Sequence, residues 1–245
     1  MPRFFVDKAN IEDNSIYILD DDARHIARSL RMAVGDEVTV ADGTGYEYRA
    51  SLTKIRDERC DLEIIEKSLS KSEPKSKITL FMAYPKSDKL ETVIQKAVEL
   101  GASQIVPFES SRCIKRPKAD KAAERTARLT RIAEEAAKQC GRATLPTVSV
   151  PVSYTEAISL AKKNELALFC YEGEGTQSLK SVLDGVEGTP ESISVVVGSE
   201  GGFSEQEALF AQENGMIPVN LGPRILRCET APDYCLSAIS YRFEL

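Results

Sequence analysis

The chain has 245 residues, 42% of them hydrophobic and 29% charged, with 14 Gly, 6 Cys, 1 His and a net charge of −6 at pH 7. That balance excludes a disordered chain, a collagen-like repeat and a disulfide scaffold, and the length corresponds to one large or two modest domains. No apolar run reaches the ~18 residues of a membrane span, the first eight residues lack a signal-peptide layout, no two cysteines form a C-x-x-C pair, and one histidine is too few for a His-rich metal centre.

The expectation is a cytoplasmic protein with reduced thiols, no membrane segment and no metal. The charge is unevenly spread. Residues 1–70 carry 10 Lys+Arg against 15 Asp+Glu, residues 71–150 carry 16 against 9, and residues 151–245 carry 6 against 14. A basic stripe from 112 to 142 fits phosphate neutralisation, although a solvated helix face would produce the same run.

From the N-terminus, the spacing predicts short strands at 17–19, 36–41, 46–54 and 61–66. Asp42-Gly43-Thr44-Gly45 forms a hairpin turn between the second and third of these. A helical stretch at 20–32 interrupts them. Short strands with one helix point to a small barrel. The polar run 67–77 contains Pro74 and reads as a linker. This gives a first domain over 1–70, a linker over 71–77 and a second domain over 78–245.

Beyond the linker the period changes. Apolar strands are predicted at 78–84, 104–108, 166–171, 193–197 and 217–221. Helices are predicted at 87–100, closed by Gly101, and at 118–140, closed by Gly141. Ser153 with Glu156, Ser204 with Glu207 and Thr230 with Asp233 have capping-box spacing, and Pro232 fits a first helical turn. The alternation argues an α/β fold with a parallel sheet.

Three loops follow the C-terminal ends of three of these strands, where open α/β sheets bind ligands. They are 171–175 (YEGEG), 198–204 (GSEGGFS) and 222–227 (GPRILR). Neither the dinucleotide G-x-G-x-x-G nor the triphosphate P-loop is present. The loops suit an adenosine-type ligand held by main-chain groups between apolar walls.

Residues 197–204 with Glu207, followed by 221–231 (LGPRILRCETA), resemble the signature of the RsmE family. These are uridine-N3 methyltransferases of small-subunit (16S) ribosomal RNA, within the SPOUT or α/β-knot class. Residues 3–6, 25–31, 96–101 and 139–142 followed by Pro146 match further family elements, so the resemblance covers nearly the whole chain. Ser199 stands where the family usually has proline, Cys140 replaces a serine, and 233–240 is more polar than usual.

The resemblance implies a PUA-like β-barrel followed by an α/β-knot domain whose parallel sheet is trefoil-knotted. It further implies S-adenosylmethionine as cofactor, ribosomal RNA of the small subunit as partner, and a homodimer. Tyr171, Glu172, Gly198, Glu200, Gly201, Gly202, Leu221, Gly222, Ile225, Leu226 and Arg227 then form the cofactor cradle. Arg227 is the candidate for stabilising charge on the base, and Glu229 the candidate for taking the N3 proton. Arg3, His25, Arg28, Arg31, Arg112, Lys115 and Arg142 are candidates for holding the RNA backbone. A 2′-O-ribose methyltransferase of the same class and a non-catalytic RNA-binding protein are the alternatives.

Overall fold

The computed structural model describes residues 1–86, 89–114 and 121–245. The chain forms two compact units, Met1–Glu73 with Ala137–Leu145, and Pro74–Ala136 with Pro146–Leu245.

The first unit holds strands β1 (Arg3–Phe5), β2 (Ile11–Glu12), β3 (Ser15–Leu19), β4 (Glu37–Ala41), β5 (Tyr46–Ile55) and β6 (Arg59–Leu69). They pair in the order β1-β4-β5-β6-β3-β2. β1 runs parallel to β4 and the other pairs are antiparallel. The described pairings leave β1 and β2 at the two ends, so they define a sheet and not a closed barrel. Every second residue of β4 and β5 faces a core of Phe4, Ile16, Ile18, Val38, Val40, Leu52 and Leu62, as period-2 alternation requires. Asp42 builds the expected turn, because its Oδ1 accepts from Thr44 N, Thr44 Oγ1 and Tyr46 N. The stretch at 20–32 is one short helix α1 (Asp20–Arg24) continuing into a π turn, His25–Ser29. Asp20 and Arg31 bracket it at φ of 53° and 51°, a conformation that costs a non-glycine residue ~1 kcal/mol or more.

The same unit contains a tight polar knot. Arg142 donates from Nη2 to Glu73 Oε2 at 2.9 Å, with its side chain only 4% exposed. Glu73 Oε1 accepts the N–H groups of Ala143 and Thr144 at 2.7 and 3.0 Å. Burial pushes the Glu73 carboxyl up, but the guanidinium of Arg142 and the hydroxyl of Thr144 outweigh it and hold it below the usual carboxylate range.

The second unit contains β7 (Lys77–Ala83), α2 (Lys89–Glu99), β8 (Ala102–Glu109), β9 (Thr147–Val148), β10 (Val152–Ser153) and α4 (Tyr154–Ala161). It continues with β11 (Leu166–Cys170), β12 (Gln177–Ser178), α5 (Leu179–Asp184), β13 (Ser192–Val197), α6 (Glu205–Glu213), β14 (Ile217–Asn220) and α7 (Thr230–Phe243). Helix α3 (Ala122–Cys140) begins in this unit and ends in the first. The sheet is wholly parallel, in the order β10-β8-β7-β13-β11-β14-β12, with β9 also on β8. Ile193 to Val197 are all buried, as a strand covered on both faces demands. The buried polar residue of that strand, Ser194, donates to Ala161 O at 2.9 Å.

Two capping expectations hold and one is corrected. Ser153 accepts from Glu156 N, and Ser204 with Glu207 forms a reciprocal capping box. Thr230 and Asp233 do not form one. Helix α7 starts at Thr230 itself, its N-cap is Glu229, and Asp233 pairs with Lys96 Nζ at 3.0 Å. Pro232 does lie in the first turn of α7.

Candidate active site

The sheet order explains where the site is. β13, β11 and β14 are consecutive neighbours and parallel, so their C-terminal ends meet at one edge. The loops that follow converge there around a cleft of about 860 Å³. Every residue expected in the cradle lines it: Tyr171, Glu172, Gly198, Glu200, Gly201, Gly202, Leu221, Gly222, Ile225, Leu226 and Arg227. Lys89, Arg112, Ser199, Phe203, Glu205 and Arg224 line it as well.

The glycine loop 198–202 is held from both sides. Gly202 sits at φ 61° and its N–H donates to Ser199 O at 2.9 Å, closing a tight turn. Phe203 then plunges into the unit, its ring centroid 4.4 Å from Phe169 and stacked on Phe108 at 6.3 Å. On the outer side Arg112 donates from Nη1 to Gly201 O at 3.1 Å, and Ser199 Oγ donates to Arg112 O. A Cβ on Gly201 would stand 2.9 Å from Arg112 Cβ and 3.2 Å from its carbonyl oxygen. Glycine is therefore required by the close approach of the 110–113 loop.

Glu207 fastens that loop to the glycine loop. It accepts from Ser111 N and Oγ at 2.7 and 2.8 Å, and from Ser204 N and Oγ at 2.9 and 3.1 Å. Burial raises its carboxyl, yet these four donors leave it below the ordinary value.

The third loop is tied by its main chain. Arg227 O accepts from Thr230 N at 2.9 Å and Ala231 N at 3.0 Å. The side chains of Arg224 and Arg227 are exposed and make no hydrogen bond or ion pair among the described residues. Glu229 departs from its expected role. It does not line the cleft, and its Oε2 lies 3.1 Å from Lys89 Nζ and 3.2 Å from the Cys228 thiol that donates to it. Burial pushes the Glu229 carboxyl up, but the thiol, its own N–H and Lys89 bring it below the usual range. A carboxylate so satisfied is a weak base. Burial, with Glu229 and Glu200 nearby, pushes the Cys228 thiol up to about 12, so it stays protonated.

The candidates for RNA contact divide. Arg3 and Arg142 are internal braces of the first unit: Arg3 Nη2 meets Glu47 at 2.9 Å, its Nη1 reaches Arg142 O, and Arg142 is buried against Glu73. Arg142, 4% exposed, and Arg3, 15% exposed, thus spend their Nη groups on internal partners, and neither is proposed for phosphate contact. Arg28 is exposed but paired with Asp57. His25 is exposed with its ring edge-on to Phe4 at 6.4 Å, and Arg31 is exposed without an ion pair among the described residues. Arg112 belongs to the cleft, where it grips Gly201. Lys115 lies outside the described residues. Reading the sequence missed Lys89; only the two carboxylates that the fold brings to it reveal its place.

Residues 71–240 match the family profile of an RNA methyltransferase domain, and residues 18–65 that of an RNA methyltransferase PUA domain. Ribosomal RNA small subunit methyltransferase E of Bacillus subtilis is 34% identical, over 100% of this chain and 98% of the relative. The protein of that name from Synechocystis is 31% identical, over 99% of this chain and 78% of its own length. Among solved structures, ribosomal RNA small subunit methyltransferase E of Neisseria gonorrhoeae, bound to S-adenosyl methionine, superposes with a TM-score of 0.85 at 32% identity. It covers 99% of this chain and 98% of its own. A methyltransferase of Legionella pneumophila in complex with bound SAM gives 0.85 at 27% identity, covering 98% and 96%.

Proposed function

The chain belongs to the ribosomal RNA small subunit methyltransferase E family, and from that premise we propose that it methylates N3 of a uridine in 16S ribosomal RNA. It is an S-adenosylmethionine-dependent enzyme of ribosomal RNA. The observation that carries the reading is the convergence of the three loops on one cleft of the parallel sheet, with Arg224 and Arg227, unpaired among the described residues, in its wall.

The residues present fit the cofactor. The cleft volume lies in the ~300–1,000 Å³ range of small-molecule sites, bare glycine main chain faces it, and Val197, Phe203, Leu221 and Leu226 give it apolar walls. S-adenosylmethionine supplies a methyl group on a sulfonium centre. The protein's task is then to bring N3 into line with that carbon, which is chiefly a problem of orientation. N3 attacks only after losing its proton, so negative charge builds on the ring oxygens. We assign Arg227, whose side chain has no partner among the described residues, to meet that charge. Against the effect of burial, Glu200, by its own N–H and then Lys89, and Glu229, by the Cys228 thiol, its own N–H and then Lys89, are held below the usual carboxylate range, and serve as anchors. Glu172 and Glu205 are the cleft carboxylates without a cationic partner among the described residues.

Nucleoside mass spectrometry of 16S RNA with and without the protein tests the target atom. 3-Methyluridine is expected; a ribose-methylated nucleoside, or no product, would replace this reading. Gly201→Val is expected to weaken cofactor binding ~5- to 150-fold, because the clash with Arg112 costs ~1–3 kcal/mol. Calorimetry on the folded variant checks it, and unchanged affinity would move the cofactor elsewhere.

Of the candidates on the first unit, His25 and Arg31 are exposed and without an ion pair among the described residues, and we assign them to phosphate contact. Replacing both with alanine is expected to weaken RNA binding and to flatten its log–log salt slope by about 0.7–0.9 per lost contact, with cofactor affinity unchanged. We further read the knotted threading of the parallel sheet and a homodimer into the second unit. Thr230, Tyr234, Ser237 and Tyr241 form an exposed uncharged stripe along α7, flanked by the exposed Arg242, which donates to Val186 O; such a stripe suits an isologous contact. Sedimentation at micromolar concentration should give about twice 27.0 kDa; a monomer would refute the dimer.

A further inference from the structure

We infer that Lys89 is a positioning residue that locks two cleft loops together, holding the glycine loop through Glu200 and the third loop through Glu229. The inference rests on the cofactor reading above and deepens it.

Lys89 is the first described residue of α2. It meets a pair of carboxylates from two other loops. Lys89 Nζ lies 3.2 Å from Glu200 Oε1 and 3.1 Å from Glu229 Oε2. Glu200 extends the clamp, since its carboxylate also accepts the Lys86 N–H at 3.1 Å. Glu229 extends it the other way, as N-cap of α7 and acceptor of the Cys228 thiol. One ammonium thus joins the starts of α2 and α7 to the glycine loop, and it lines the cleft itself. All three side chains are between a quarter and a third exposed, so water screens each pair in part, and the clamp works chiefly as a geometric tie between the loops. The ammonium is held above its ordinary value by Glu229 and then Glu200.

Without the ammonium, Glu200 and Glu229 become two like charges facing each other with no cation between them. Among the described residues no other cation is paired with either carboxylate: Cys228 is a neutral thiol, Arg112 is committed to Gly201 O, and Lys96, which feels Glu229 at longer range, is hydrogen-bonded to Asp233. Repulsion would open the cleft at pH 8, and protonation of one carboxylate would relieve it.

The test measures binding of S-adenosylhomocysteine by calorimetry, at about pH 8 and about pH 6. Lys89→Met is expected to raise Kd ~10-fold or more at the higher pH, since like-charge juxtaposition is costly, and much less at the lower pH. Lys89→Arg should stay near wild type. Lys89→Met combined with Glu229→Gln should recover most of the affinity, which a simple folding defect would not do. Wild-type-like binding by Lys89→Met at both pH values overturns the inference. So does a loss that neither acid nor Glu229→Gln relieves. If the wild type itself binds no cofactor, the functional reading falls, and this inference with it.

Discussion

Arg227→Ala is expected to lower methyl transfer roughly 100- to 1,000-fold at saturating RNA and cofactor, while both ligands still bind. The magnitude is that of removing one donor aimed at developing charge, ~2.7–4 kcal/mol in the barrier. The structure makes this substitution clean. The Arg227 carbonyl holds the start of α7 through Thr230 and Ala231, and truncating the side chain leaves that bond in place. The guanidinium has no intramolecular partner among the described residues, so no salt bridge is lost and the melting temperature should not move. Arg227→Lys should recover only part of the rate, because an ammonium lacks the planar fork. Single-turnover kinetics with calorimetric control of binding is the measurement. A rate within threefold of wild type, ~0.65 kcal/mol, is too small for a transition-state contact and would strike Arg227 from the reaction.

The second large effect is on stability. Arg142→Met should destabilise the first unit by ~3–5 kcal/mol, because it leaves Glu73 buried without its cation. For a chain of this length that lowers Tm by roughly 6–20 °C. The Glu73 carboxyl is held below its unfolded value. Its contribution is therefore complete above the usual carboxylate pKa of ~4.3 and is lost as pH falls through the lower folded value. The gap in Tm between wild type and variant should accordingly narrow below about pH 4. Thermal melts from pH 7 to pH 3 follow it. A variant with unchanged Tm but weakened RNA binding would return Arg142 to the phosphate-contacting set.

Local patterns located the longer strands and helices. The apolar runs at 78–84 and 193–197 read directly as β7 and β13, because a strand buried on both faces has no reason to alternate. Glycines after β13 and β14 marked loops at the ligand-binding edge, and the Ser204–Glu207 spacing marked the start of α6. Each of these signals is local: a few neighbouring residues suffice to produce it.

What the sequence could not determine is which distant groups meet. β1 pairs with β4 across more than thirty residues, and no pattern within Arg3–Phe5 announces it. Arg142 looks like any arginine of a basic stripe until Glu73 closes on it, and Glu229 looks like a free base until Lys89 and Cys228 satisfy it. Whether a charge is available for RNA, for a proton or for neither depends on its partner and its burial, and only the tertiary structure supplies both.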